Sequence, residues 1–396
     1  MTKLEKLFQE FCPDGVEFRP LEQCCNILDR KRKPVTKSSR EAGKYPYYGA
    51  NGIQDYVSDY IFDGTFILVG EDGSVITDRG TPVVTWASGK IWVNNHAHII
   101  EGNGTVLLRF LYHYIQTIDV SPLIHGNIPK LTGGDFRALT IPVPPLEVQH
   151  EIVRILDTFT ELTAELTAEL TVRQKQYEYY RDKLLSFGEN GGGETRSNIQ
   201  FFLVAEIADT NIGLATTVTK YKANQGVLLI HNSDIQENEI VLKQHEYITE
   251  AFAEKNHKKR LQENDVITVH TGDVGTSAVI SKEYAGAIGF TTITSRIRNP
   301  QKVLPEYFCH YLNSHRCKAE IASMTISDRS NLNQNCFEKL RIPIPPIDEQ
   351  RRIVTILDHF STLCTGLTSG LPAEIEARQK QYEYYRDNLL SFTPAD

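Results

Sequence analysis

The 396-residue sequence lacks a long apolar segment and a secretory signal. No apolar run approaches the roughly 18 residues that a membrane-spanning helix needs. The first residues, MTKLEKLFQEF, place acids among the apolar positions, so they do not match the apolar core of a signal peptide. We therefore expect a soluble protein that acts in the cytoplasm and contacts no membrane.

Cysteine pairs at metal-binding spacing are also missing. The seven cysteines are an odd number, and no two of them form a C-x-x-C pair. This pattern argues against a disulfide framework and against a zinc site. We expect reduced, mostly structural cysteines and no bound metal.

The sequence has no excess of positive charge. Lys and Arg total 42 while Asp and Glu total 50, which gives a formal net charge of -8 at pH 7. An acidic chain does not hold nucleic acid by its overall field. Any DNA binding must therefore depend on local basic patches, or on a partner subunit that supplies phosphate contacts.

The loops that carry methyl-transfer and nucleotide chemistry are missing as well. An adenine methyltransferase would need an [N/D]-P-P-[Y/F/W] loop and a Gly-rich cofactor loop, and Pro144-Pro145 does not qualify because Val143 precedes it. The phosphate-binding pattern G-x-x-x-x-G-K-[S/T] does not occur either. We therefore expect no catalytic residues and no cofactor bound by this chain.

Two blocks of sequence occur twice. Residues 141–160 read IPVPPLEVQHEIVRILDTFT and residues 342–361 read IPIPPIDEQRRIVTILDHFS, identical at 11 of 20 positions. Residues 173–187 read RQKQYEYYRDKLLSF, and residues 378–392 match them at 14 of 15 positions. The offset rises from 201 (342 minus 141) to 205 (378 minus 173), so the second copy has four more residues, about one helical turn. The chain therefore consists of two related halves.

Both repeats have the spacing of long helices after the Pro-Pro stop. Their apolar residues alternate in steps of four and three, which is the pattern of a coiled-coil seam. In the second copy Gly366, Gly370 and Pro372 interrupt the seam, which predicts a kink or break near Pro372. The residues expected to pair the helices are Leu156, Phe159, Leu166, Leu170, Tyr177, Tyr180, Leu184, Leu357, Phe360, Leu367, Tyr382, Tyr385 and Leu389.

An alternative is that each helix packs only on its own domain. About 38 residues of helix would reach roughly 57 Å, which exceeds the width of a single domain. The length therefore favours pairing between the two helices.

Composition marks the boundaries of the domains. Residues 188–198 (GENGGGETRSN) have the composition of a flexible linker. The segments before the repeats combine short β-rich runs with Gly and Asp turns. We expect an α+β protein in which residues 1–140 and 199–341 form two mixed α/β domains. Residues 141–187 and 342–396 should form the long helices that separate and follow these domains and pair as an antiparallel coiled coil.

This arrangement resembles the specificity subunit of a Type I restriction-modification enzyme. The resemblance covers the whole chain, and its most specific elements are the IPxPPxxxQ segments at Ile141 and Ile342, the RQKQYEYYRD segments at Arg173 and Arg378, and the two Thr-Ala-Glu-Leu tetrads from Thr163 to Leu170. It implies that each α/β domain is a target-recognition domain for one half of a split, asymmetric DNA target. It also implies that the paired helices set the spacing between the halves.

The resemblance implies partners as well. These are double-stranded DNA, two methyltransferase subunits docked on the helices, and restriction or motor subunits. S-adenosylmethionine, ATP and magnesium would be bound by those partner subunits, and the complex would serve DNA methylation and host defence. A different interpretation of the same helices is a scaffold that assembles other proteins without binding DNA.

Basic residues are the first group of candidate DNA contacts, because they position phosphates. Seven positive charges lie between residues 30 and 44, and a second basic run covers residues 255–260. A solvated charged face would explain the same runs. The candidates are Lys31, Arg32, Lys33, Lys37, Arg40, Lys44, Lys255, Lys258, Lys259 and Arg260.

Polar loops form the second group, because side chains in loops can recognise base edges. Such loops lie at residues 71–74 and 271–275, and two more, at 126–130 and 328–331, precede the IPxPP segments. Tight turns would explain the first two equally well. The candidates in these loops are Ser74, Lys130, Thr271, Arg329 and Asn331.

Overall fold

A computed structural model describes residues 3–73, 75–124, 129–187, 199–215, 218–324, 331–365 and 370–395. The chain divides into two compact units. Unit 1 comprises Met1–Thr167 and Glu374–Asp396, and unit 2 comprises Ala168–Ala373. The C-terminal residues therefore belong to the same unit as the N-terminal domain. Within the described residues, no helix is long and apolar enough to cross a lipid bilayer.

The helices and strands are numbered in chain order. The first half contains α1 (Lys3–Phe11), β1 (Phe18–Pro20), α2 (Leu21–Cys24), β2 (Cys25–Ile27), β3 (Ala42–Gly49), β4 (Gly52–Val57), β5 (Phe62–Gly70), β6 (Val84–Val93), β7 (Ala97–Gly102), α3 (Leu108–Ile115), α4 (Gly133–Ala138), β8 (Thr140–Pro142) and α5 (Leu146–Leu184). The second half contains β9 (Gln200–Leu203), α6 (Val204–Ile207), β10 (Ala208–Ile212), β11 (Lys222–Ala223), β12 (Val227–His231), β13 (Ile235–Gln236), β14 (Glu239–Ile240), β15 (Tyr247–Ile248), α7 (Glu250–Lys255), β16 (Val266–Val269), β17 (Ser277–Val279), β18 (Ile288–Phe290), β19 (Thr292–Ile297), α8 (Pro305–Leu312), α9 (His315–Met324), α10 (Gln334–Phe337), β20 (Arg341–Ile344), α11 (Ile347–Thr365) and α12 (Leu371–Leu389).

Unit 1 is organised around a six-stranded sheet with the order β2-β7-β5-β6-β3-β4. Strand β5 is central, and side chains on both of its faces are buried. Ile67 packs in one apolar cluster with Phe110 of α3, while Phe66 packs in another with Ile99. Because successive side chains of a strand point to opposite faces, the apolar run in β5 supplies both clusters.

Unit 2 contains two four-stranded sheets, with the orders β10-β19-β16-β17 and β11-β15-β12-β18. Strand β16 is fully buried, and its residues also divide between two clusters. Val266 packs with Phe308 of α8, while Ile267 packs with Ala278 of β17. The core of unit 2 therefore lies on both faces of the first sheet.

The fold repeats beyond the repeated sequence. The order β2-β7-β5-β6 in unit 1 corresponds to β10-β19-β16-β17 in unit 2. In both, each neighbouring pair of strands is antiparallel. A short antiparallel pair precedes the long helix in each unit, β1 with β8 and β9 with β20. The predicted α+β fold with two related domains is confirmed.

Helix α5 has 39 residues and contributes to both units. No glycine or proline lies inside it, so nothing in the sequence interrupts its backbone hydrogen bonds. In unit 1, Phe159 stacks on Tyr385 of α12 with ring centroids 5.1 Å apart. In unit 2, Tyr180 stacks on Phe360 of α11 at 5.7 Å. The partner's number falls as the number along α5 rises, which is the direction of the predicted antiparallel pairing.

The predicted break in the second long helix is confirmed. Helix α11 ends at Thr365 and α12 begins at Leu371. Pro372 lies in the first turn of α12, where a missing N–H costs no helical hydrogen bond. Gly370 has a φ of +99°, and a Cβ there would lie 2.6 Å from the carbonyl oxygen of Thr362, so only glycine fits this turn.

Most predicted pairing residues lie in the two cores. Leu156, Tyr382 and Leu389 share a cluster in unit 1, whereas Leu170, Tyr177, Leu184 and Leu357 share a cluster in unit 2. Leu166 is half-buried, and its role in pairing stays a prediction. Leu367 lies outside the described residues.

Candidate nucleic-acid interface

The first basic segment runs from the loop between β2 and β3 into β3, which contains Lys44. The side chains of four of its lysines are exposed: Lys31, Lys33, Lys37 and Lys44. The loop backbone is tied to β6, because the indole N–H of Trp92 donates to the carbonyl oxygen of Lys33 at 2.6 Å. A fixed backbone with exposed ammonium groups suits contact with phosphates.

The two arginines of this loop have structural partners. The Arg32 guanidinium is 12% exposed and lies 2.6 Å from a carboxylate oxygen of Glu71. The Arg40 guanidinium lies 4.1 Å from the centre of the Tyr47 ring and 3.2 Å from a carboxylate oxygen of Asp55. Both arginines therefore hold the loop in place, and their contact with DNA stays a prediction.

A buried histidine connects this loop to the next ones. The side chain of His98 is 1% exposed, and its Nδ1 lies 2.7 Å from an oxygen of Asp29. Its Nε2 lies 3.0 Å from the carbonyl oxygen of Leu131, and its ring stacks on Phe136. Burial alone would raise the pKa of Asp29, but the hydrogen bonds from His98 and the backbone N–H of Ile99, together with the charges of His98 and Arg32, outweigh burial and lower that pKa. The ionised carboxylate thus fixes the position of the histidine.

Asp29, Glu71 and His98 bring three ligand-type atoms within 4.8 Å of one another, close enough to hold a metal ion. However, Arg32 Nη1 lies 2.6 Å from Glu71, and Arg32 Nη2 lies 3.7 Å from Asp29. The ammonium group of Lys130 is 3.2 Å from the second oxygen of Glu71. These protein cations already neutralise the carboxylates, so the cluster does not fit a metal.

In unit 1 the structure brings two of the predicted polar loops together. Asp72 and Lys130 form an isolated antiparallel β-bridge. The N–H of Gly73 donates to the carbonyl oxygen of Pro129 at 3.0 Å, and the N–H of Leu131 donates to that of Glu71 at 2.8 Å. We call this pair of segments, residues 71–73 and 129–131, the loop pair of unit 1. Ser74, a predicted contact, lies outside the described residues.

Unit 2 has a corresponding loop pair, residues 270–272 with 331–332. Thr271 and Asn331 form the β-bridge, and the N–H of Leu332 donates to the carbonyl oxygen of His270 at 2.8 Å. The side-chain amide of Asn232 also donates to the carbonyl oxygen of Thr271 at 2.6 Å. Burial lowers the pKa of His270, which favours its neutral form. The predicted contact Arg329 lies outside the described residues.

The second basic segment also divides into exposed and structural residues. Lys255 and Lys258 are exposed. The Lys259 ammonium group donates to the carbonyl oxygens of Ile212 and Gly213 at 2.7 and 2.8 Å, and burial lowers its pKa. Arg260 forms an ion pair with Glu250. Lys255 and Lys258 are therefore the two residues of this segment whose charges face solvent most freely.

This segment borders a pocket of unit 2 formed with β10 and β19. The lining residues are Asp209, Thr210, Asn211, Ile212, Gly213, Lys258, Lys259, Arg260, Thr294 and Arg296. Arg260 and Arg296 in this lining are paired with Glu250 and Asp265. Lys258 and Lys259 are therefore the pocket cations left to attract an anionic group such as a phosphate.

The globular part of each unit is attached to its long helix by a histidine and an aspartate. His113 Nε2 of α3 lies 2.8 Å from Asp157 of α5, and His310 Nε2 of α8 lies 2.7 Å from Asp358 of α11. Burial lowers the pKa of His113. These pairs are not among the predicted site residues, although His-Tyr occurs at the same place in α3 and α8 and the aspartates lie in the repeated block. The shared His-Tyr is the sequence signal that points to them.

The glutamine of each IPxPPxxxQ segment has a definite role. Gln149 is 1% exposed. Its side chain accepts from the N–H of Leu107 at 2.8 Å and donates to the carbonyl oxygen of Pro144 at 2.7 Å. Gln350 makes the corresponding bonds to Leu304 and Pro345. Each glutamine thus clamps the start of the long helix to the segment before α3 or α8.

Each long helix also presents a pair of exposed aromatic rings. Tyr179 and Tyr180 of α5 are 60% and 42% exposed, and Tyr384 and Tyr385 of α12 are 66% and 43% exposed. These residues come from the identical YEYYRD segments. Exposed aromatic side chains at equivalent positions suit two copies of one protein partner.

The family model for the Type I restriction modification DNA specificity domain matches residues 13–172 and 197–377. A Haemophilus influenzae protein assigned as a type I restriction enzyme specificity subunit is 38% identical over 99% of both chains. The specificity subunit of the Escherichia coli type I restriction enzyme EcoR124I/EcoR124II is 34% identical over 72% of this chain and 71% of that one.

Solved structures with a similar fold match this chain over nearly its full length. The S subunit of a type I restriction-modification system from M. genitalium superposes with a TM-score of 0.59, at 16% sequence identity, over 95% of this chain and 96% of that one. At this identity the likeness concerns the fold.

Proposed function

The chain belongs to the family of Type I restriction-modification DNA specificity domains, and we propose that its two units each recognise one half of a split DNA target. It is a non-catalytic specificity subunit, and recognition of DNA sequence is the role of its family. The observation that carries the proposal is the repeated loop pair. The same backbone arrangement occurs in both units but presents Asp72 and Lys130 in one and Thr271 and Asn331 in the other. Equivalent sites with different side chains would recognise different bases.

Within each unit we assign phosphate contacts and base contacts to different residues. The exposed lysines of residues 31–44 and 255–258 carry charge without a preferred base, so they would position the DNA backbone. The loop pairs carry directional donors and acceptors, so they would recognise base edges. The net charge of -8 does not prevent such contacts, because each unit presents exposed lysines in one short segment.

The helices would set the distance between the half-targets. Helix α5 is continuous from Leu146 to Leu184, and the His113–Asp157 and His310–Asp358 pairs attach a globular part to a helix in each unit. A change in helix length would therefore displace one recognition site along the DNA.

The partners are DNA and the other subunits of the restriction-modification system. We propose that two methyltransferase subunits bind, one at Tyr179 and Tyr180 and the other at Tyr384 and Tyr385, and that restriction or motor subunits join this complex. S-adenosylmethionine, ATP and magnesium would be bound by the partners, and the whole complex would act on DNA in the cytoplasm.

Exchange of one recognition domain tests this function. The chain is expressed with its methyltransferase partner, and methylated bases are mapped by single-molecule sequencing. Replacing residues 199–341 with the corresponding domain of a relative should change one half of the target and leave the other unchanged. A change in both halves would refute the modular arrangement. Purified complex that shifts no DNA fragment would favour the scaffold interpretation instead.

Stoichiometry tests the docking sites. Native mass spectrometry should show two methyltransferase subunits on one copy of this chain. Tyr179→Asp and Tyr384→Asp should each leave a complex with one methyltransferase subunit, because a charge at an apolar contact costs binding energy. Glu178→Gln, a change beside the first tyrosine, is the matched control. A stable one-to-one complex of the unaltered chain would contradict the proposal.

An activity assay of the purified chain tests whether it lacks catalytic activity. A preparation purified without partners should transfer no methyl group from S-adenosylmethionine and cut no DNA. Methyl transfer that persists after rigorous purification would overturn this part of the proposal.

A further inference from the structure

Lys130 of unit 1 and Asn331 of unit 2 occupy the same position of the repeated fold. Each precedes a leucine, Leu131 or Leu332, whose side chain is fully buried, and the residue after that leucine caps a short helix. The two positions differ by 201 (331 minus 130), which is also the offset between Ile141 and Ile342. The structural repeat therefore begins before the IPxPP segments, in a stretch where the two sequences differ widely.

The backbone at these two positions is held in the same way. Lys130 bridges to Asp72, and Asn331 bridges to Thr271. In each unit the N–H of the following leucine donates 2.8 Å to a carbonyl oxygen of the opposite segment. Backbone hydrogen bonds do not depend on the side chain, so the units differ here in side-chain chemistry on a common support.

The charges around Lys130 suit a base edge better than a phosphate. Glu71 lies against Arg32 at 2.6 Å and against Lys130 at 3.2 Å, and Asp72 pairs with His96. Because Glu71 already neutralises part of the charge of Lys130, this lysine attracts a phosphate less strongly than an unpaired lysine does. Its ammonium group, held beside Glu71, still offers directional hydrogen bonds to a base edge. The exposed lysines of residues 31–44 are the better phosphate contacts.

We propose that Lys130 and Asn331 recognise bases at corresponding positions of the two half-targets, Lys130 selecting guanine and Asn331 selecting adenine. The proposal rests on the function proposed above. An ammonium group has three donors, and with one directed at Glu71 the other two can donate to O6 and N7 of guanine. A side-chain amide has both a donor and an acceptor, which match N7 and the N6 amino group of adenine.

Reciprocal substitutions test the assignment in the complete complex. Lys130→Asn and Asn331→Lys are each expressed with the methyltransferase partner, and the methylated targets are sequenced. Lys130→Asn should change a G·C pair to an A·T pair at one position of the half-target of unit 1. Asn331→Lys should make the opposite change in the half-target of unit 2. Lys33→Asn, the same substitution on the exposed basic loop, should reduce methylation at every site without changing a base.

Binding to synthetic duplexes keeps the test decisive if a variant methylates poorly in cells. Purified complex is titrated with duplexes that vary one base pair at a time. The relative affinity for G·C and A·T at the assigned position should change by about five- to a hundredfold, which is the range of discrimination that a bidentate base contact gives. A loss of affinity that is equal for all bases would show that Lys130 contacts a phosphate, and would overturn the inference.

Other outcomes separate this inference from the function on which it rests. Unchanged targets in both variants would refute the assignment of Lys130 and Asn331 and leave the modular function intact. A change in both half-targets from one substitution would refute the modular function as well. Both variants should melt at the temperature of the unaltered complex, because both side chains are exposed.

Discussion

Removal of the hydrogen bonds made by Gln149 should destabilise unit 1 strongly. Gln149→Met keeps the length and most of the volume of the side chain but removes an acceptor 2.8 Å from the N–H of Leu107 and a donor 2.7 Å from the carbonyl oxygen of Pro144. A polar group left unsatisfied in a buried position costs about 1–3 kcal/mol. Two such groups are left unsatisfied, and the more apolar methionine recovers part of their cost. The free energy of unfolding should therefore fall by about 3 kcal/mol.

Urea unfolding followed by tryptophan fluorescence measures this loss directly. Both tryptophans, Trp86 and Trp92, belong to unit 1, so their emission reports on the unit that contains Gln149. The free energy of unfolding falls by about 3 kcal/mol per molar urea for a domain of this size. The urea concentration at the unfolding midpoint should therefore fall by about 1 M. A comparable loss in Gln350→Met should be visible by circular dichroism, because Gln350 makes the equivalent bonds.

The matched control is His150→Met, which introduces the same residue at the exposed neighbouring position of α5. A surface change of this kind costs less than about 0.5 kcal/mol. Equal midpoints for the two variants would refute the idea that the glutamine clamps the helix to the globular part.

Three further predictions concern acid stability, target spacing and thiol exposure. The pKa of Glu151 is lowered to about 2 by hydrogen bonds from Arg154 and Lys3. The ionised Glu151 therefore stabilises the folded state above about pH 4.5, and this stabilisation is lost as the pH falls towards 2. Glu151→Gln should therefore flatten that part of a pH titration of stability and cost about 1 kcal/mol at neutral pH, since both cations are exposed and screened. Deletion of Thr167 to Leu170 removes one helical turn, about 6 Å and roughly 400°, and should shorten the gap between half-targets by one base pair without changing their bases. An unchanged gap would exclude the helix as the spacer. Of the seven cysteines, the two half-buried ones should react first with a thiol reagent in the native protein, and the five buried ones only after unfolding.

The repeated segments and long helices could be predicted from the sequence because their contacts are local or periodic. The Pro-Pro stops, the steps of four and three, and the glycines before Pro372 each act within a few residues. They predicted α5, its antiparallel partner and the break that separates α11 from α12. Local composition also identified the polar loops at residues 71–74 and 328–331 as candidate DNA contacts.

The partners of individual side chains could not be predicted, because they come from distant parts of the chain. Arg32 has the sequence context of a phosphate contact, yet it is bound to Glu71, 39 residues away. His98 was not singled out, since its partners Asp29 and Leu131 lie 69 and 33 residues away. Charge density in a sequence does not distinguish a cation that holds a loop from one that faces solvent.

Two related halves, long helices that pair and a resemblance to a DNA specificity subunit all follow from the amino-acid sequence alone. The common offset of 201 between Lys130 and Asn331 is visible in the sequence, but their common backbone support is visible only in the three-dimensional fold. That support consists of backbone hydrogen bonds to loops about 60 residues earlier in the chain. Such bonds leave no trace in side-chain identity, because a backbone N–H and carbonyl are present at nearly every residue.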